Sequence, residues 1–260
     1  MIMGSMIGIF KHIKARTLTQ IGGLVGLNAY FFQFRSVCFP AFNCHSCPAA
    51  TFACPLGVMV NFSSLHIIPW LAIGIIGLAA LIGGRIFCGW ICPFGFLQDL
   101  LYKIPSPKIR LPAWSGYFKY AILVLTIFII PFFFPKSVFV FCRLCPAGTL
   151  ESSIVWRVLG VVKTFPPMFF IRLGILAFVI LAAVMVSRSF CRVICPLGAI
   201  LALFNRISLF RATTIKPCSA CGVCVKHCPV EINPVEDINT EECIKCMDCN
   251  KIKCFKLGLH

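Results

Sequence analysis

Acidic residues are scarce in this chain. Its 260 residues include 8 Asp+Glu against 24 Lys+Arg, and charged residues amount to 12%. Soluble domains average about 25%, so an ordinary water-soluble enzyme is excluded. Histidine is nearly as rare: His12, His45, His66, His227 and His260 all lie away from the centres of the apolar segments. Paired histidines within spans would indicate a b-type haem, and intramembrane carboxylates a proton or ion pump; neither pattern is present. The motif C-x-x-C-H is also missing, which excludes covalently held c-type haem.

What the chain has instead is apolar bulk and cysteine. Hydrophobic residues reach 59%, with 26 Phe, and there are 18 Cys. A secreted disulfide scaffold is short and polar; this chain is neither. The composition indicates a membrane protein, and the cysteines indicate metal. Four segments, 17–34, 67–84, 117–134 and 168–187, are apolar enough to cross a bilayer core, which takes roughly 20 helical residues. Gln20, Asn28 and Gln33 interrupt the first. Its basic lead-in fits a signal peptide, but no small-residue cleavage site follows, so it reads as a span. With the N-terminus inside, segments 1–16, 85–119 and 188–260 hold 18 of the 24 Lys+Arg. Basic flanks mark the inner side, so the expectation is a multi-pass protein of a prokaryotic cytoplasmic membrane with both termini cytoplasmic. The net charge of +16, which on a soluble protein would suggest a nucleic-acid surface, is then a topology signal. Lipid, not nucleic acid, is the expected partner.

The loops between spans carry a tandem repeat. Cys44-His-Ser-Cys47-Pro-Ala-Ala-Thr-Phe matches Cys142-Arg-Leu-Cys145-Pro-Ala-Gly-Thr-Leu, and Cys88-Gly-Trp-Ile-Cys92-Pro-Phe-Gly matches Cys191-Arg-Val-Ile-Cys195-Pro-Leu-Gly. Even the lead-ins agree, Gly84-Arg85-Ile86-Phe87 against Ser187-Arg188-Ser189-Phe190. Each repeat reads as span, outer C-x-x-C-P, span, inner C-x-x-x-C-P. A two-Cys hook supplies half of the four thiolates of a [4Fe–4S] cluster, so two repeats about a pseudo-two-fold axis assemble an inner set, Cys88, Cys92, Cys191 and Cys195, and an outer set, Cys44, Cys47, Cys142 and Cys145. The prolines suit the first position of a helix, which would lie in the membrane interface and point its N–H groups at cluster sulfurs. Inert buried thiols and zinc are the alternatives. Cys38 and Cys54 also lie outside: Cys54, followed by Pro-Leu-Gly, is an alternative outer ligand, or the two form a disulfide.

From Lys216 the composition turns hydrophilic. Cys218-x2-Cys221-x2-Cys224-x3-Cys228-Pro229 is the bacterial ferredoxin run, and Cys243-x2-Cys246-x2-Cys249 is followed by Cys254 after four residues. In two-cluster ferredoxins the fourth Cys of each run ligates the other cluster. Cys218, Cys221, Cys224 and Cys254 are thus expected to hold one cluster, and Cys228, Cys243, Cys246 and Cys249 the other. The fold class is an all-α membrane protein, with four transmembrane helices in two repeats (about 17–115 and 116–211) within a membrane domain 1–211, and a two-cluster ferredoxin module 212–260. Asp99 and Glu151, each shortly after a hook, read as solvated groups, with proton transfer at a quinone site as the alternative. His45 and His227 read as polar filler, and the four Trp as interfacial anchors.

The inner hooks Cys88–Asp99 and Cys191–Ala199, four spans and a terminal two-cluster ferredoxin together resemble the NapH-type membrane iron–sulfur proteins, part of a polyferredoxin group that includes NosR-like and FixG/CcoG-like proteins. The resemblance runs from about Lys11 to the C-terminus and implies quinol oxidation at the membrane and electron delivery to a redox partner. Two features depart from it, the cysteine-rich outer loop and the irregular second ferredoxin run. The expected function is a membrane electron-transfer subunit of an oxidoreductase complex, without catalytic side chains of its own. It would carry four [4Fe–4S] clusters between a cytoplasmic donor or acceptor and quinone or a redox partner at the outer face. The rival reading is a maturation factor that reduces a metal or thiol in another membrane complex, with Cys38 and Cys54 as its exchangeable pair.

Overall fold

The computed structural model describes residues 2–30, 34–214, 223–249 and 255–259. The elements in order are α1 (Ile2–Leu27), β1 (Phe34–Cys38), β2 (Phe52–Ala53), α2 (Pro55–Ser64), α3 (Trp70–Gly83), α4 (Ile86–Trp90), α5 (Pro93–Leu101), α6 (Trp114–Phe133), α7 (Phe141–Leu144), α8 (146–158), α9 (Pro167–Met185), α10 (Ser189–Val193), α11 (Pro196–Leu203), β3 (Phe210–Thr214), α12 (Val223–Lys226) and β4 (Phe255–Leu259). β1 and β2 pair in parallel. β3 and β4 are antiparallel, Phe210 opposite Leu259, which ties β4 to the segment that follows α11.

Among the described residues two helices, α6 and α9, are long and apolar enough to cross a bilayer, with mean hydropathies of 1.9 and 2.6. Phe128, Phe132, Phe170, Phe178 and Leu181 lie exposed along them. The other two expected spans differ from their sequence reading. α1 ends at Leu27, and Phe34 already belongs to β1. α3 has only 14 residues, short of a full crossing. Pro69 precedes its first residue, and it stops at Gly84, where φ is +57°. A Cβ at Gly84 would stand 2.4 Å from Asn205 Oδ1, so only glycine fits that turn. α6 widens into a π-helical stretch at Val124–Ile129. Pro131 lies just beyond and withholds the N–H that would close an α-turn on Ile127.

One buried core joins the hooks to the spans. It contains Cys54, Cys88, Cys92, Cys191 and Cys195 with Leu56, Ile76, Phe94, Ile127, Phe190 and Leu197. α1 acts as a ruler along it. Arg16 Nε donates to Gly89 O at 3.1 Å, Gly23 lies against Ile91 O, and Leu27 O accepts from Asn43 and Thr51, both at 3.0 Å. Gly23 and Leu27 are one turn apart, about 6 Å. The inner hook and the outer cysteine loop thus pack on neighbouring turns of α1.

Candidate iron–sulfur centres

Four cysteines stand in one local conformation. Cys54, Cys92, Cys145 and Cys195 each precede a proline that opens a helix, with φ/ψ of −69/121°, −64/119°, −62/121° and −67/113°. Proline in the first turn sacrifices no intrahelical hydrogen bond. Three residues after each cysteine is a glycine. The N–H groups of Gly148 and Gly198 donate to the Cys145 and Cys195 sulfurs at 3.4 and 3.3 Å, and those of Gly57 and Gly95 face the Cys54 and Cys92 sulfurs without closing that bond. The glycine also brings the helix start close to the rest of the hook: a Cβ at Gly95 would stand 2.8 Å from Cys88 O, and one at Gly198 3.0 Å from Cys191 O. The C-P-x-G signal was visible in the sequence four times; Cys47-Pro-Ala-Ala lacks it.

The four inner cysteines are brought together. All are buried, and Cys195 senses the charges of Cys191, Cys88 and Cys92. Burial pushes the Cys92 thiol up to about 12 and the Cys191 thiol up to about 11. Thiolates here therefore need a cationic centre to stabilise them. Gln98 Nε2 donates to Cys191 Sγ at 3.0 Å, while its Oε1 accepts the Phe190 N–H at 3.1 Å. The Phe42 backbone N–H faces the Cys92 sulfur and favours its thiolate.

The outer group is assembled around Cys54. Cys54 senses Cys142 and Cys44, and Cys145 senses Cys54, Cys44 and Cys142. Cys47 couples to Cys44, and its carbonyl accepts from Arg35 in the turn that follows. The structure thus groups Cys54, and not Cys47, with Cys44, Cys142 and Cys145. Cys38 and Cys54 are both free thiols. Cys38 packs with Ala53 and Ala72 in a separate apolar cluster, and the alternative disulfide is not formed. Glu151 is not the solvated group expected: it accepts the Cys44 N–H at 2.6 Å, fixed by a π-helical stretch at Thr149–Ile154. Asp99 is not solvated either. Although burial would raise its carboxyl, Arg188 and Arg16 hold it below the usual range.

In the terminal module, Cys249 senses Cys243 and Cys228, and Cys246 senses Cys228, so these four stand together. Cys224 belongs to a second small cluster with Ala212, Met247 and Phe255. Cys218, Cys221 and Cys254 lie outside the described residues. The module is seated on the inner hooks. Trp90 Nε1 donates to Lys245 O at 3.1 Å, and Asn205 Nδ2 donates to Thr240 O and Cys243 O at 2.6 and 2.8 Å. Arg16 pairs with Asp248 and, at 2.6 Å, with Asp99.

Among the described residues no three His, Cys, Asp or Glu side chains converge tightly enough to hold one metal ion. A zinc ion draws its thiolates to about 2.3 Å. Three groups of four neighbouring thiols, spread wider than that and faced by N–H donors, fit a [4Fe–4S] cubane and its sulfurs better than a single ion.

The family described as 4Fe-4S binding domain matches residues 65–112 and 167–214, each match holding one inner hook. The uncharacterized protein MJ0750 of Methanocaldococcus jannaschii is 34% identical over 195 residues, 71% of this chain and 75% of its own. The regulatory protein NosR of Stutzerimonas stutzeri is 29% identical over 66% of this chain and 24% of its own length. The methylamine utilization ferredoxin-type protein MauN of Methylobacillus flagellatus is 25% identical over 59% of this chain and 51% of its own. The chain thus spans about a quarter of NosR and half of MauN. No solved structure matches.

Proposed function

This chain belongs to the ferredoxin-type 4Fe–4S protein family that includes MJ0750, and on that premise we propose that it is a membrane-embedded electron-transfer subunit linking a cytoplasmic redox partner to the quinone pool or to the outer side of the membrane. Cys88, Cys92, Cys191 and Cys195 hold one cluster, Cys44, Cys54, Cys142 and Cys145 a second, and Cys228, Cys243, Cys246 and Cys249 a third. Cys218, Cys221, Cys224 and Cys254 hold the fourth. When bound, a [4Fe–4S] cluster supplies one-electron chemistry with little bond rearrangement. The protein's task is to space the thiolates, keep water out and aim N–H groups at the sulfurs.

The observation that carries this reading is the contiguity of three quartets. The Arg188 guanidinium senses both Cys191 and Cys246, and Phe42, whose N–H faces Cys92, lies two residues before Cys44. Orientation is supported by Arg16, which pairs with Asp99 beside the inner hook and with Asp248 of the module. The N-terminal helix and the module therefore meet at the same end of the helices, which supports the reading that this basic end is the cytoplasmic one.

A cavity of about 730 Å³ between the start of α6 and the module is lined by Trp114, Tyr117, Tyr120, Arg192 and Glu231. Arg192 Nη1 and Glu231 Oε2 form a loose ion pair there at 3.7 Å, and Tyr120 Oη is buried without a hydrogen-bond partner among the described residues. The size suits a small ligand, and exposed Trp114 and Tyr117 suit the membrane interface. A quinone headgroup seated here would accept from Arg192 and Tyr120, and its quinol would donate to Glu231.

Anaerobic iron and acid-labile sulfide analysis of the purified protein, with EPR, tests the reading. Four clusters are expected; finding only the two of the terminal module would overturn the membrane relay.

A further inference from the structure

Arg85 and Arg188 occupy matching places in the two halves, each three residues before the first cysteine of its hook. Their exposures are 0% and 1%. They cross between the halves. Arg85 Nη2 donates to Cys191 O at 3.0 Å, and Arg188 Nη1 donates to Cys88 O at 2.8 Å. Two full positive charges are thus fixed beside the inner thiols, where low polarity makes them count for more than in water.

Their counterions break the symmetry. Arg188 is neutralised within the membrane domain by Asp99, through bonds of 2.7 and 2.6 Å. The place in the second half that corresponds to Asp99, seven residues after the last hook cysteine, is Ala202. Arg85 therefore takes its acid from elsewhere. Its Nη1 lies 3.3 Å from Glu242 Oε2 of the terminal module and donates to Glu241 O at 2.6 Å. Glu242 also receives Lys119 Nζ at 2.5 Å and stands 3.9 Å from Arg192 Nε. One module carboxylate thus faces three cations of the membrane domain, all of them buried.

We propose that Glu242 sets the redox potential of the inner membrane cluster, acting as a positioning residue through Arg85, so that seating the module on the membrane domain tunes that cluster. This rests on the reading that the inner quartet holds a [4Fe–4S] cluster. One-electron reduction makes the cluster and its thiolates more negative, so nearby uncompensated cations favour the reduced form. Glu242 offsets those cations and makes the inner cluster a stronger electron donor while the module is in place. An electron arriving from the module then meets an inner cluster that passes it onward more readily.

The test is an EPR-monitored redox titration of the full-length protein. Glu242→Gln is expected to shift the inner-cluster equilibrium about tenfold towards the reduced form, about 59 mV for a one-electron couple. Lys119→Met removes a cation facing the same carboxylate and is expected to shift it the opposite way. Opposite signs separate an electrostatic role from damage to the fold, which would move both variants alike. Glu241→Gln, at the exposed pair with Arg206, is the control expected to leave the inner cluster unchanged. Full iron content with no shift in Glu242→Gln, or shifts of one sign in both variants, overturns the proposal and leaves the cluster reading standing. Absence of an inner-cluster signal and of its iron from the unmodified protein overturns the cluster reading itself.

Discussion

The Phe42 backbone N–H faces the sulfur of Cys92 and favours its thiolate, and so a residue of the outer cysteine loop borders a thiol of the inner hook. The Phe42 ring adds to the junction: it lies 5.6 Å from Phe94 and 5.4 Å from Phe190, each three residues or fewer from an inner cysteine and all of them buried. The outer loop is therefore a wall of the inner centre as well as the carrier of Cys44.

The first prediction separates Cys54 from Cys47. Cys54→Ser is expected to remove one cluster, about four iron and four sulfide per chain, and leave the module's EPR signals intact. Cys47→Ser is expected to keep full iron content. Loss of iron in Cys47→Ser with none in Cys54→Ser would reverse the outer ligand set.

The inner and module quartets were legible because their spacing repeats along the chain. The outer set was only half legible. Both Cys47 and Cys54 precede proline, and the offset between repeats favours Cys47. The deciding feature is the glycine three residues on, whose missing side chain lets the helix start pack closely, in the case of Gly57 against the His45 ring. The roles of Arg85, Arg188, Asp99 and Glu242 were hidden. Isolated charges at span ends have the same appearance in a sequence whether they face water or are buried in ion pairs, and the partner of Arg85 lies 157 residues away. The shortness of α3 was equally hidden, because apolar residues continue past Pro69 on both sides.

A neighbouring pair of glycines tests the seat of the inner hook on α1. A Cβ at Gly23 would stand 2.3 Å from the Ile91 carbonyl oxygen, whereas one at Gly22 meets nothing within 4 Å. Gly23→Ala must push α1 off the hook and is expected to cost about 1–3 kcal/mol. Gly22→Ala is expected to be neutral or to gain up to about 1 kcal/mol from helix propensity. Thermal unfolding in detergent, followed by cluster absorbance, distinguishes the two.

The cavity beside α6 makes a kinetic prediction. Tyr120→Phe removes a hydroxyl that has no hydrogen-bond partner among the described residues, so the fold loses little. Quinol-analogue oxidation is expected to show a raised KM with cluster content unchanged. An unaltered KM in both Tyr120→Phe and Glu231→Gln would place the quinone elsewhere.

Lys245 is the main staple of the module. It is buried, its backbone is left-handed at φ +49°, and Nζ reaches Asn205 O at 3.2 Å, Phe210 O at 2.8 Å and the Ser208 hydroxyl. These acceptors belong to the exit of the membrane domain, so Lys245→Met strands carbonyls on that side, at about 1–3 kcal/mol. The apolar clusters of the module are small, Val230, Ile244 and Cys246 in one and Ala212, Cys224, Met247 and Phe255 in the other. Clusters bound to its cysteines therefore contribute much of its folding energy. Two routes to release follow: Lys245→Met weakens the seat, and iron chelation dissolves the module's own core. Limited proteolysis is expected to cut first between Thr214 and the C-terminus in both cases, leaving a membrane fragment. The difference lies in the clusters: Lys245→Met keeps the module's EPR signals until cleavage, while chelation loses them before it. Cleavage that begins instead in the loop between α5 and α6 would show that the membrane domain, and not the module, is the weaker unit.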